Sequence, residues 1–212
     1  MADFPLFIKM DGRKVMVIGG GSVALRKIRI LTDYGADIRI ISGEVRDELK
    51  MLAEAGRLEW QKENLTEKHL SELDEAFLVI CASNDETVNV MAADYCQKRH
   101  ILVDCAKPGE NSDCVFPSVV RRGNVVVGIS TSGGVPALTK HLREKIEAVI
   151  PEWYDDFERA LRDKRRQLKQ SDLSHAGIRR LIHAGHRRER AFRHLQNGEH
   201  RVVPGRGGQP VA

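Results

Sequence analysis

Lys14-Val-Met-Val-Ile-Gly-Gly-Gly-Ser-Val-Ala24 is the stretch of sequence that decides the fold. Residues 14–18 are apolar after the lysine and predict a short buried strand. Three glycines follow at once, and Ser22 to Tyr34 then carries apolar residues at helical spacing before Gly35 ends the pattern. A strand that passes through glycines directly into a helix is the context in which a glycine motif predicts dinucleotide binding.

Within this stretch, Gly19, Gly21 and Ala24 form the pattern G-x-G-x-x-A. Gly19 would turn the chain tightly out of the strand, Gly21 would let the backbone approach a pyrophosphate, and Ala24 would let the helix pack on the strand. The first helical N–H groups and the positive end of the helix dipole would then face the phosphates. The alternative is a glycine-rich turn that serves packing alone.

Strands continue to alternate with helices as far as residue 113, which predicts right-handed crossovers and a parallel sheet. We therefore expect an α/β protein with a Rossmann-type domain over residues 1–113. The further predicted strands are 37–41, 57–60, 76–81 and 101–103, and the further predicted helices are 45–55, 66–72 and 85–98.

The pattern changes beyond that domain. Two apolar runs with a turn between them predict a β-hairpin, and a helix follows with proline in its first turn. The predicted segments are strands 114–120 and 125–130, a helix over 136–149, a helical C-terminal region over 151–197, and a flexible tail rich in glycine and proline over 198–212.

Composition excludes some classes of protein and localises the charge. The 212 residues contain no run of about 18 apolar residues, and the N-terminus lacks the pattern of a signal peptide, so we expect a cytoplasmic protein with no membrane partner. The net charge is +4, but Arg159 to Arg206 holds 14 Lys+Arg against 4 Asp+Glu, which leaves −6 for the rest. The basic segment suits an anionic partner or forms a solvated helical face. Nucleic acid is disfavoured because Phe192 is its one aromatic residue.

Four cysteines and several histidines raise the question of a metal. None of the cysteines forms a C-x-x-C pair, so we predict free, mostly buried thiols and no metal site. The alternatives are a site made of Cys105, Cys114 and a nearby histidine, or a pair made of His183 and His186, which lie one helical turn apart.

The choice of cofactor depends on the residues after the second strand. The acidic residue that normally binds the ribose of NAD is missing from its usual place, and Ser42-Gly43-Glu44 stands there instead. Glu44 could reach the ribose, whereas Ser42 with Arg46 could accept a 2′-phosphate. We predict NAD, with NADP as the alternative.

Several segments in chain order resemble the precorrin-2 dehydrogenase family, the N-terminal module of siroheme synthases, some members of which also insert iron into sirohydrochlorin. The likeness covers residues 1 to about 150. The matching segments are Phe4–Phe7, Val17–Ala24, Arg26-Lys27, Cys81–Asp85, Thr87–Asn89, Phe116–Ser118, Ser130–Gly134, Pro136–Leu138 and Leu142–Lys145.

This resemblance implies a function and a layout. It implies NAD-dependent dehydrogenation of precorrin-2 to sirohydrochlorin, with ferrochelatase activity as an addition, and a homodimer formed through the hairpin and helix of residues 114–150. The cofactor contacts that motif and resemblance predict are Gly19, Gly21, Ser22, Val23, Ser42, Gly43, Ala82, Ser83 and Asn84. With such a substrate, the basic segment could bind the carboxylates of an acidic tetrapyrrole, while a solvated helical face stays the alternative.

The catalytic base is where the chain departs from the family. The family carries Asn-Val-x-Asp, whereas this chain has Asp104-Cys-Ala-Lys107, and alignment without gaps back from Phe116-Pro-Ser118 puts Lys107 on the base. We predict Asp104 as a base and Lys107 as a second catalytic residue, acting as a base or as a partner for a substrate carboxylate. Asp113 is a further candidate base. The structural alternatives are a capping aspartate and a solvated lysine.

Loss of the base would leave a protein of another class. A non-catalytic tetrapyrrole-binding or cofactor-sensing protein could keep the fold without the chemistry. An oxidoreductase with a different substrate is the third hypothesis.

Overall fold

The computed structural model describes residues 3–106, 111–132 and 134–169, and these form two compact units. The first unit contains residues up to 117 together with 130–138. The second contains 118–129 and the described residues from 139 onward.

A parallel sheet of five strands forms the centre of the first unit. Its order is β3-β2-β1-β4-β5, and each neighbouring pair is parallel. The strands are β1 (Lys14–Ile18), β2 (Asp37–Ile41), β3 (Glu59–Gln61), β4 (Leu78–Cys81) and β5 (Leu102–Cys105). The predicted Rossmann-type α/β fold is confirmed.

Helices connect these strands and cover both faces of the sheet. They are α1 (Ser22–Asp33), α2 (Asp47–Glu54), a 3-10 helix (Glu67–Glu75) and α3 (Glu86–Lys98). Asp85 caps α3, because its carboxylate accepts a hydrogen bond from the Thr87 N–H at 2.9 Å. The predicted helix at 66–72 is a 3-10 helix that is longer at its C-terminal end.

The core lies on both sides of the sheet because successive strand residues point to opposite faces. Apolar side chains from β1, β2 and β4 pack on α1 and α2 on one face; its central members are Val15, Val17, Ile28, Ile38, Ile40, Leu49 and Ile80. On the other face they pack on α3 and the 3-10 helix; its central members are Met16, Ile18, Leu73, Val79, Cys81, Ala92 and Cys96. A continuous apolar run such as β4 is therefore buried on both faces.

Residues 111–114 bind the outer edge of β5. Val103 donates its N–H to the Asp113 carboxylate at 3.2 Å and accepts the Asp113 N–H at 2.9 Å. Cys105 donates its N–H to the Ser112 hydroxyl at 2.9 Å. The prediction that a hairpin strand begins at residue 114 is wrong, because the Cys114 N–H is directed to Val103 and the strand begins at Ser118.

The second unit contains the hairpin and the following helices, except that residues 136–138, the first three of the first helix, belong to the first unit. Strands β6 (Ser118–Arg122) and β7 (Val125–Ile129) pair antiparallel, and α4 (Pro136–Val149) and α5 (Tyr154–Lys169) come after them. Gly123 makes the hairpin turn with a φ of +58°. Among the described residues, every helix is too short or too polar to span a bilayer.

Candidate functional site

The candidate site lies at the carboxyl edge of the sheet, between β1 and β4. Chain connections leave this edge in opposite directions there, since β1 is followed by β2 on one side and β4 by β5 on the other. In open α/β sheets the crevice at such a switch point is where ligands bind. The turn after β1 and the loop after β4, residues 82–85, therefore frame the site.

Packing explains the first two glycines of the turn. Gly19 has a φ of +99°, and a Cβ on it would lie 2.5 Å from the Ala82 carbonyl oxygen. A Cβ on Gly20 would lie 2.5 Å from Val45 Cγ1. Both glycines are therefore required for the turn to approach its neighbours, whatever ligand binds.

Gly21 is different, because open space adjoins it. A Cβ there would meet nothing within 4 Å. Gly21 is also the N-cap of α1, with no side chain capping the helix and no acidic residue in its first turn. Backbone N–H groups at the start of a helix, beside space that lacks a side chain, fit the pyrophosphate of a dinucleotide. The positions predicted for phosphate contact, Gly21, Ser22 and Val23, lie together here.

The end of β2 is held in place by its own neighbours. The Ser42 hydroxyl donates to the Glu44 carbonyl at 2.6 Å, and the Gly43 N–H donates to Asn64 Oδ1 at 3.0 Å. Trp60 donates its indole N–H to the Ser42 carbonyl at 2.8 Å. Arg46 is exposed and lies 3.5 Å from a Glu48 oxygen. The sequence did not single out Asn64 or Trp60, which reach this loop from other parts of the chain.

Asn89 on α3 fixes the loop after β4. Its Oδ1 accepts the Ser83 N–H at 3.0 Å and its Nδ2 donates to the Ser83 carbonyl at 2.9 Å. Ser83 in turn accepts the Asp85 N–H through its hydroxyl at 3.1 Å. Sequence reasoning assigned Asn89 no role beyond its place in the resemblance. Its position four residues after the Asp85 cap is the signal that could have found it.

We expect Asn89→Ala to weaken dinucleotide binding about tenfold, because two backbone groups of the loop lose their partners. Binding of NAD⁺ measured by calorimetry checks this. Asp94→Ala, an exposed position on the same helix, is the matched control and should bind as the unmodified chain does. An NAD⁺ affinity of Asn89→Ala equal to that of the unmodified chain would contradict the role of Asn89 in holding the loop.

Asp104 lies on β5 but is buried rather than open to the crevice. Its side chain forms an ion pair with Lys27 of α1, with 2.5 Å between Nζ and Oδ2, and the two residues are 3% and 5% exposed. Burial raises the pKa of the Asp104 carboxyl, and the charge of Lys27 opposes that rise. Lys27 Nζ also lies 5.2 Å from the centre of the Phe116 ring. The role of Asp104 as a base stays a prediction, and it requires this pair to open or to relay a proton.

The remaining sequence candidates have separate outcomes. Lys107, His183 and His186 lie outside the described residues, as does most of the basic segment. Asp113 is bound to the edge of β5, which favours a structural role. The described ranges contain no group of three or more histidine, cysteine or acidic residues that could hold a metal, and all four cysteines are free thiols.

Comparisons with known proteins agree with this geometry. Residues 6–118 match the model of a family described as NAD(P)-binding. The structure of SirC, a precorrin-2 dehydrogenase, superimposes with a TM-score of 0.73 at 25% identity, covering 92% of this chain and 98% of that one.

Curated relatives match the same part of the chain. A siroheme synthase of Neisseria meningitidis is 37% identical over 157 residues, which are 73% of this chain and 32% of the relative. Siroheme synthase 1 of Yersinia enterocolitica is 36% identical over 177 residues, 84% of this chain and 37% of the relative. The chain thus spans about a third of the length of the curated relatives that it matches.

Proposed function

Because the chain belongs to the NAD(P)-binding family whose model it matches over residues 6–118, we propose that it oxidises precorrin-2 to sirohydrochlorin with NAD⁺ as acceptor. The observation that carries the proposal is the likeness to SirC, which extends over nearly the whole of both chains. The siroheme synthases support it, since they align with most of this chain, although the aligned region is only about a third of those longer proteins. NADP⁺ is the alternative acceptor, because no carboxylate stands directly at the end of β2 to reject a 2′-phosphate.

In this proposal the bound dinucleotide supplies a hydride acceptor. Gly21 and the first turn of α1 hold the pyrophosphate through backbone N–H groups. The Ser42–Gly43 turn and the loop Ala82-Ser83-Asn84 contact the rest of the cofactor along the carboxyl edge. Asn89 positions that loop through its two hydrogen bonds to Ser83.

Proton removal from the substrate is assigned to Asp104, with Lys107 as the second catalytic candidate. Burial raises the pKa of the Asp104 carboxyl, and Lys27 opposes that rise by favouring the ionised form, which is the form that a base needs. Lys107 would pair with a substrate carboxylate or act as the base itself.

A non-catalytic carrier or cofactor sensor is the second candidate. The observation in its favour is the buried ion pair, because a carboxylate already bound to Lys27 has little freedom to accept a substrate proton. Lys107 at the position of the family's aspartate also favours it.

The test is the formation of NADH from NAD⁺ and precorrin-2 under anaerobic conditions. We expect turnover by the unmodified chain and a fall of about 10²–10⁴-fold in kcat for Asp104→Asn, because general-base catalysis contributes about that much. Lys107→Ala should raise KM if the lysine pairs with the substrate. Arg29→Ala, a change of an exposed side chain on α1, is the control. An inert chain that still binds the macrocycle would identify the carrier.

The proposal also includes what the sequence pattern and the resemblance predict for the rest of the chain, of which residues 170–212 lie outside the described part. It includes a cofactor domain over 1–113, a homodimer formed through 114–150, a helical region over 151–197, a flexible tail over 198–212 and a cytoplasmic location. It also includes iron insertion as a second activity and binding of the acidic macrocycle by the basic segment.

A further inference from the structure

We propose that Cys105 is an oxidant-sensitive thiol that forms a reversible disulfide with Cys81, and that this bond weakens dinucleotide binding at the adjacent edge of the sheet. The disulfide itself is independent of the reaction proposed above. Its effect on binding rests on the proposed cofactor site.

The first support is the register of the two neighbouring strands. Cys81 ends β4 and Cys105 ends β5, and their Cα atoms are direct partners in the parallel pairing. Neighbouring strands lie about 4.8 Å apart, and partners in register project their side chains to the same face. Disulfides span Cα separations of about 4.4–6.8 Å, so the two thiols can be joined with little backbone movement.

The second support is the contrast between the two thiols. Cys81 is fully buried in the core beneath α3, whereas Cys105 is half-buried at the margin of that core. The Cys81 thiol hydrogen-bonds to Cys105, and this bond lowers the pKa of Cys105 to about 7. The same interaction and burial raise the pKa of Cys81. Cys105 is therefore the nucleophile and Cys81 its neighbouring partner.

The oxidation balances with hydrogen peroxide as the oxidant. The Cys105 thiolate attacks one peroxide oxygen, the O–O bond breaks, and the hydroxide released takes a proton to become water, leaving a sulfenic acid. The Cys81 sulfur then attacks the Cys105 sulfur, the S–O bond breaks, and the Cys81 proton leaves with the hydroxyl as a second water. The two thiols lose two electrons in total, and the peroxide gains them. A dithiol reverses the reaction by exchange.

The position of Cys81 links this bond to the cofactor site. Cys81 directly precedes the loop Ala82-Ser83-Asn84, and its carbonyl accepts the Ala106 N–H at 2.8 Å. Ala82 is also the residue whose carbonyl lies against Gly19. The small adjustment that the disulfide requires at Cys81 is passed to the start of this loop, because Ala82 follows Cys81 directly. Close-packed groups have no free space into which to move, so a shift of Ala82 also displaces Gly19, against which its carbonyl packs.

The first test is the rate at which a small alkylating reagent modifies Cys105 as a function of pH, followed by mass spectrometry of the peptides. We expect a midpoint near pH 7. In Cys81→Ala the midpoint should rise toward the ordinary thiol value of about 8.5, because the hydrogen bond is lost. Cys96→Ala removes another buried thiol of the same core but keeps the interaction between Cys81 and Cys105, so it should leave the midpoint near pH 7. An unchanged midpoint in Cys81→Ala would overturn the pairing.

The second test is oxidation of the folded chain by hydrogen peroxide. We expect the loss of two hydrogens, one peptide pair joined through Cys81 and Cys105, and full reversal by a dithiol. We also expect an NAD⁺ affinity about tenfold lower, measured by calorimetry before reduction. Cys105→Ser should show none of these changes. Stable sulfinic acid on Cys105, or a bond to Cys96 or Cys114, would overturn the disulfide.

The two proposals fail in different ways. A disulfide that forms without any change in NAD⁺ affinity would overturn the regulatory part alone. If the reduced chain binds no dinucleotide at all, the proposed function fails, while the peptide map still decides whether the bond exists.

Discussion

Asp104→Ala is expected to lower the free energy of unfolding by about 3–5 kcal/mol, because it leaves the Lys27 ammonium buried without its partner. Lys27 is 5% exposed, so water cannot replace the lost carboxylate without movement of α1 or β5. Denaturant unfolding of both proteins under the same conditions measures the change.

Two further variants make this result specific to the buried pair. Glu75→Ala breaks the ion pair with Lys14, in which the Lys14 side chain is 42% exposed and the Glu75 side chain 69%. This change should lower the free energy of unfolding by at most about 1 kcal/mol. The double change Lys27→Met with Asp104→Leu removes both charges and should recover most of the loss. If Asp104→Ala lowers the free energy of unfolding no more than Glu75→Ala does, the buried Lys27–Asp104 pair contributes no more to stability than an exposed ion pair.

Gly21→Val is expected to reduce dinucleotide affinity at least about 100-fold while changing the free energy of unfolding by no more than about 1 kcal/mol. The added side chain enters space in which a Cβ meets no atom within 4 Å, so the fold tolerates it. That space is where we place the pyrophosphate. Calorimetry with NAD⁺ and NADH, together with unfolding curves, checks both halves of the expectation.

Gly19→Ala is the matched comparison within the same turn. Its Cβ would lie 2.5 Å from the Ala82 carbonyl oxygen, at a φ of +99° that side chains rarely adopt. We expect it to destabilise the protein, the reverse of the pattern for Gly21. Unimpaired binding of both nucleotides by Gly21→Val would refute the location of the cofactor.

Local signals predicted much of the fold. The bounds of β1, β2 and α4 match the predicted segments, because short apolar runs, glycines and Pro136 mark their ends in the sequence itself. The predicted bounds of the edge strands were less accurate. Strand β3 begins two residues later than predicted and β5 ends two residues later, since these ends depend on pairing with neighbouring strands.

The site was harder to predict because its important contacts are distant in sequence. Lys27 and Asp104 are 77 residues apart, so no local pattern joins them. An aspartate that binds a strand edge, such as Asp113, has the same sequence signature as a candidate base. Asn89 acts through a loop that only the folded chain brings to it.

The segment 111–114 also has a consequence for behaviour at high concentration. Exposed sheet edges offer free N–H and carbonyl groups on which another chain can add a strand. On β5 the outward groups of Val103 and the N–H of Cys105 are already bound by Asp113 and Ser112. The opposite edge, β3, is only three residues long, which is too short to template much growth. Neither edge of the parallel sheet therefore favours intermolecular β aggregation, because residues 111–114 occupy the edge at β5 and the edge strand β3 is short.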